Sequence, residues 1–236
     1  MDDLVQRIND LIEKVKGKLD DLLGKVNDFL SWVPWGLGWV VDKFKDLWNK
    51  AMDKMGEFWA KVQEIVSNLG APWDLNATKD QWIQVGGPVA ARATESDRSQ
   101  STVDAEWKGK AADRYALSLG PQGKALAAVQ SKLTSQIGPA LGSIASALYI
   151  FYGVVIGALV VLVAAIIAAG GETVSIIGLP AVPAKILGAA IAALVTIGGA
   201  VLNLRGAASG ANTTFLQVAN ETGDFGAENW PSAVIG

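Results

Sequence analysis

Two long apolar runs limit what this chain can fold into. From Ile144 to Ala169, 26 consecutive residues carry no charge: IASALYIFYGVVIGALVVLVAAIIAA. After a turn rich in Gly and Pro, a second run, ILGAAIAALVTIGGAVLNL, extends from Ile186 to Leu204. A helix rises about 1.5 Å per residue, so roughly 20 apolar residues cross the hydrocarbon of a bilayer. Both runs reach or nearly reach that length. They predict a transmembrane helical hairpin over 144–204, since uncharged stretches this long are rare in soluble domains. The alternative is a hairpin buried inside a soluble helical ring, because Ala and Gly are only weakly hydrophobic.

Charge is distributed to match. Residues 1–143 hold 18 of the 20 Lys and Arg and 19 of the 23 Asp and Glu, which gives a water-facing front and a nearly uncharged back. The net charge of −3 offers no basic surface for nucleic acid. With no Cys and no His, disulfides, thiolate chemistry, the usual zinc sites and His-based acid–base catalysis are excluded. No Gly-rich phosphate loop and no nucleophile beside a base appears, so neither catalysis nor a cofactor is expected. The N-terminus, MDDLVQRINDLIEKVKGKLDD, alternates charge from its second residue and is not a secretory signal peptide.

Residues 1–70 read as an amphipathic, Trp-rich helical hairpin. Val5, Ile8, Ile12, Val15, Leu19, Leu22, Val26, Phe29 and Val33 alternate steps of three and four, and Leu4, Leu11, Leu23 and Leu30 widen the stripe. The segment from Ser31 to Gly38 breaks the helix at Pro34 and Gly36. A second repeat runs through Val41, Phe44, Trp48, Ala51, Met55, Phe58, Val62, Ile65 and Leu69, and a short connection folds the two helices back on each other. Trp32, Trp35 and Trp39 cluster at the turn. They read equally well as a membrane-interface group or as helix–helix core, whereas Trp48 sits on the seam and reads as core.

A second hairpin is expected over 71–143. Gly70 to Asn76 reads as a linker, and Thr78 with Gln81 makes a capping-box start for a helix that ends near Ala105. The segment Ala105-Glu106-Trp107-Lys108-Gly109-Lys110-Ala111-Ala112-Asp113-Arg114-Tyr115 follows. Gly109 allows the backbone to reverse, Ala111 and Ala112 let helices approach closely, and Tyr115 shares a face with Ala112 and Leu119. Gly120-Pro121 and Gly138-Pro139 are expected to kink or interrupt the next helix.

A Trp-x-Gly turn between two amphipathic helices, with Ala-Ala-x-x-Tyr after it, resembles the WXG100 superfamily, small helical hairpins handled by the type VII (ESX) secretion systems of actinobacteria and firmicutes. The resemblance covers roughly residues 72–143. It implies that Trp107 and Gly109 form the interhelical turn, and that Trp107, Gly109 and Tyr115 belong to the surface that binds a WXG100-type partner or the secretion machinery. The chain departs from the family in its front hairpin and its apolar back. It also lacks the Tyr-x-x-x-Asp/Glu export signal, since Leu119, Gly153 and Ile156 stand four residues after Tyr115, Tyr149 and Tyr152.

Within the apolar hairpin, Gly153 and Gly157 form a Gly-x-x-x-Gly step, and Ala192, Thr196 and Ala200 keep small residues at four-residue spacing. They are expected to pack helix on helix and to drive homo-oligomer formation. Tyr149 and Tyr152 are expected at the membrane interface. The connecting loop holds only Glu172 and Lys185 as charges and is cheap to translocate, since a central charge costs about 2.5–3.5 kcal/mol on insertion scales. Residues 205–236 read as a polar, weakly ordered tail, with one short helix near Thr214–Asn220 and with Phe215, Phe225 and Trp230 docking back.

The expected fold is therefore all-α: an amphipathic hairpin (1–70), a WXG100-like hairpin (71–143), a hydrophobic hairpin (144–204) and a tail. The function expected of it is insertion into a lipid bilayer and oligomerisation into a pore, at a bacterial membrane or after export by a type VII rather than Sec route. The alternatives are a resident membrane scaffold that binds a WXG-type partner and the soluble ring.

Overall fold

The structure is a computed structural model and describes residues 2–31, 33–34, 36–68, 70–96, 107–171, 178–221, 223–225 and 230–232. Among these residues it is all-α and contains no strand. The helices are α1 (Asp2–Leu30), α2 (Gly38–Asn68), α3 (Pro72–Glu95), α4 (Lys110–Ala128), α5 (Ser135–Gly170) and α6 (Ala181–Asn220). A π-helical segment, Val129–Thr134, joins α4 to α5, so Lys110–Gly170 is one unbroken 61-residue helical run. A short 3-10 turn, Gly223–Phe225, follows α6. The chain divides into two compact units, residues 1–70 with 148–204 and residues 71–147 with 205–236.

The first unit brings the amphipathic and apolar hairpins into one core. Ile8, Val15, Leu19, Leu22 and Val26 of α1 are buried with Phe44, Trp48, Met55 and Phe58 of α2. The same core takes in Phe151, Val155, Leu159, Leu162 and Ile166 of α5 and Val182, Ile186, Ala190 and Ile197 of α6. Both sets follow three-and-four spacing, which keeps one stripe of each helix facing its neighbours. Each large side chain buried there is worth about 1.5–3 kcal/mol. Phe44 stacks on Trp48 with ring centroids 5.6 Å apart, which confirms Trp48 as a core residue. Between α1 and α2 the backbone turns at Gly36, whose φ of +104° suits only glycine. The charged faces point outward, and the pairs Glu13–Lys16, Lys18–Asp21, Asp46–Lys50, Lys54–Glu57 and Lys61–Glu64 each lie within one helix. Such exposed pairs add little to stability, because water and salt screen them.

In the second unit, α3 packs against α4 and the π segment. It starts at Pro72, six residues before the expected cap at Thr78, so most of the expected linker is helical. Proline at the first helical position loses no bond that a helix would have used, and Asp74 in the first turn faces the positive end of the dipole. The Thr78 hydroxyl instead donates to the Asp74 carbonyl at 2.8 Å, inside the helix. The expected end near Ala105 falls outside the described residues; α3 itself closes at Glu95, with the Ser96 amide donating to the Arg92 carbonyl.

The expected interruptions at Pro121 and Pro139 are absent, and α3 also runs through Pro88. Each of these prolines follows a glycine, which has no Cβ for the pyrrolidine ring to strike. The irregularity sits at Val129–Thr134 instead, where the wider π turn shifts the register of the run.

The tail also differs from expectation, because residues 205–220 continue α6 as ordered helix. Extending an existing helix avoids the cost of nucleation, and Ala211 and Val218, seven residues apart, bury one stripe of the extension. Thr213 and Thr214 return their hydroxyls to the Ser209 and Gly210 carbonyls. Asp224 then pairs with Lys132 at 2.6 Å, and Phe225 lies 6.2 Å from Trp230.

Candidate membrane-contacting face

α5 and α6 are long and apolar enough to cross a membrane. Within the first unit each helix has two apolar faces. One is buried in the shared core; the other carries Ile150, Val160, Val161 and Ile167 on α5 and Ile191, Val195 and Leu202 on α6. These side chains are exposed, Val195 to 70% and Leu202 to 67%. From Ile150 to Gly170 no residue of α5 is charged, so the outer face offers water nothing to solvate except apolar side chains. Contiguous exposed apolar surface of this kind marks a contact with lipid or protein.

The small residues divide between the two faces. Gly153 and Gly157 lie on the outer face, and a Cβ added to either would meet nothing within 4 Å. Ala192 and Thr196 lie outward on α6, and the Thr196 hydroxyl donates to the Ala192 carbonyl at 2.8 Å, so its polar group is satisfied by its own helix. Ala200 does not share their face. It is 8% exposed and belongs to the core. A four-residue step advances about 40° beyond a full turn, so two steps from Ala192 carry the row off the outer face and into the seam.

The aromatic residues divide in the same way. Tyr149 stands on the outer face, whereas Tyr152, expected at the interface, is 2% exposed and sits in the core beside Phe151. Trp39, at the start of α2, is 61% exposed; Trp32 and Trp35 lie outside the described residues.

Trp107, Gly109 and Tyr115 meet at the start of α4. Gly109 precedes the helix with φ +107° and ψ 175°, a conformation essentially restricted to glycine, and its carbonyl accepts the Asp113 amide at 3.1 Å. Trp107 then lies 5.9 Å from Tyr115, with both rings partly open to solvent (47% and 36% exposed), while Ala112 and Ala116 of α4 are buried. Gly86, which the sequence did not single out, and Gly138, expected there only as part of a kink, each sit where another helix comes close. The Gly86 position abuts the buried Thr134 hydroxyl, and a Cβ on Gly138 would come within 3.0 Å of Ile83. Spacing along the chain gave no sign of these contacts, because which glycines touch depends on the register between the packed helices.

No group of three or more acidic residues that could hold a metal ion occurs among the described residues. A groove of about 560 Å³ lies between α1 and α2 over Ile8, Trp59 and Val62. Comparisons with known protein families, curated proteins and solved structures find no match.

Proposed function

We propose that this chain is a membrane-inserting protein of the type VII secretion-associated, WXG100-like kind, whose α5–α6 hairpin enters a bilayer and associates with copies of itself to permeabilise it. One observation carries the reading: from Ile150 to Gly170 of α5 and from Ile186 to Leu202 of α6 the exposed face carries no charge and consists of apolar side chains, small residues such as Gly153, Gly157 and Ala192, and Thr196. In lipid such positions let helices approach backbone to backbone, where the hydrophobic effect no longer drives association. The WXG100-like part of the proposal rests on the Trp107–Gly109–Tyr115 turn, with Trp107 and Tyr115 open to a helical partner.

The test is dye release from phosphatidylcholine vesicles, with and without anionic lipid, over a range of pH. Release with co-flotation of the protein is the expected result. Absence of both under every condition would overturn the reading.

A second reading, a water-soluble particle, is favoured by the core shared between α1–α2 and the apolar hairpin, which covers one face of α5–α6 with helices whose other face is charged.

A further inference from the structure

The covered hairpin and a membrane-crossing hairpin cannot be the same state of the molecule. α1 and α2 share a core with α5 and α6 from Phe151 to Ala200, and Leu22 of α1 reaches the far end of α5 at Gly170. The charged residues of α1 and α2 with described side chains are all exposed or half-buried, never buried. Taken into a bilayer with the spans, α1 and α2 would carry rows of Lys, Asp and Glu into the hydrocarbon, each at the insertion cost of a central charge. For α5 and α6 to cross a membrane, α1 and α2 must leave them. The apolar stripes thus uncovered, among them Phe44, Trp48, Met55 and Phe58, are too large to remain in water.

We infer that the stripe of α1–α2 now buried against α5–α6 is a second membrane-binding surface, and that its ligand is the lipid–water boundary of the bilayer that receives the spans. This rests on the membrane-inserting reading above. The stripe suits a helix lying in the interface, with apolar residues on one side and charged residues on the other. The five ion pairs described on α1 and α2 join residues of the same helix, so they survive the separation. Trp39 is already exposed at the turn end of α2, where an interfacial anchor would stand. The charge balance selects the lipid: α1 has five basic against seven acidic residues and α2 has five of each, so attachment is apolar and does not depend on anionic headgroups. The same stripe therefore covers the spans in water and holds α1–α2 on the membrane once the spans have entered.

The experiment locks α1 to α5 in the full chain. Leu22 Cδ1 lies 3.7 Å from the Cβ position of Gly170, and the chain has no native Cys, so Leu22→Cys with Gly170→Cys supplies its only two thiols. A short bis-maleimide with an internal disulfide joins them, and reductant releases them. The locked protein is expected to release dye from phosphatidylcholine vesicles about tenfold more slowly or worse, because the competent state is no longer populated, and reduction restores the rate. After reduction, brominated phosphatidylcholine should quench a fluorescence component that the Trp48→Phe variant lacks. Equal release from locked and reduced protein would overturn the inference and leave the membrane-inserting reading standing. Release without the Trp48 component would show that the stripe is not in lipid and would overturn it as well. If neither form releases dye or floats with vesicles, the underlying reading fails and the inference falls with it.

Discussion

At the scale of single residues, two glycines are fixed by different physics. Gly109 is held by its dihedral angles, so Gly109→Ala should cost about 1–3 kcal/mol in urea unfolding of the full chain although the added methyl meets no neighbour. Gly86 has ordinary helical dihedrals and is held by the Thr134 hydroxyl against it. Gly86→Ala should cost about 1–3 kcal/mol by overpacking. Thr134→Ala in the same chain should recover most of that loss, and a double-mutant cycle measures the coupling; additive costs would mean that the two residues do not touch.

The tail contact has its own signature. The hydrogen bond and the charge of Asp224, with Glu221 adding to them, hold the Lys132 ammonium above the ordinary lysine range. A raised cation contributes in full below the ordinary value near 10.4 and is lost as the pH climbs through the folded one. Docking of Gly223–Phe225 should therefore be intact at neutral pH and released in strongly alkaline solution. Trp230 fluorescence, taken as the difference from Trp230→Phe, reports it, and Lys132→Gln should release the turn already at neutral pH.

At the scale of helices, the two faces of the apolar hairpin respond differently to bulk. Because a Cβ on Gly153 or Gly157 meets nothing, Gly153→Leu or Gly157→Leu should leave the stability of the single chain within about 0.5 kcal/mol. The same change should shrink the oligomer in detergent, and an unchanged oligomer would remove these glycines from the interface. Ala200→Leu should do the reverse, costing the core about 1–3 kcal/mol with no specific effect on assembly. The sequence made the helices themselves legible, because heptad spacing in α1 and α2 and the long uncharged runs within α5 and α6 leave few alternatives. Four-residue spacing alone could not place Ala200, since a row of small residues drifts around the helix and only the partner decides where it turns inward. Helix ends were the least legible. A capping pattern at Thr78 lost to Pro72 at the first helical position, and a Gly-rich tail became helix because an existing helix preceded it.

At the scale of the whole molecule, the grouping of the hairpins was hidden. The wide stripe of α1, with Leu4, Leu11 and Leu23 added to the seam, was the one sign that it faces more than a single partner helix; these leucines pack partly buried against the shared core. Nothing in the order of the chain indicated that residues 1–70 would pack with 148–204 rather than with the neighbouring hairpin. The cause is tertiary: an apolar hairpin in water is covered by whatever amphipathic surface the chain can supply, however distant in sequence.

The central claim is that the α5–α6 hairpin enters a bilayer. The most direct measurement is flotation of the full chain with phosphatidylcholine vesicles after an alkaline carbonate wash, which strips proteins held only at the surface. The account predicts that the chain floats with the lipid and resists the wash. Recovery of the whole protein in the wash, water-soluble and helical, would contradict it and leave α1–α2 as the permanent cover of a soluble particle.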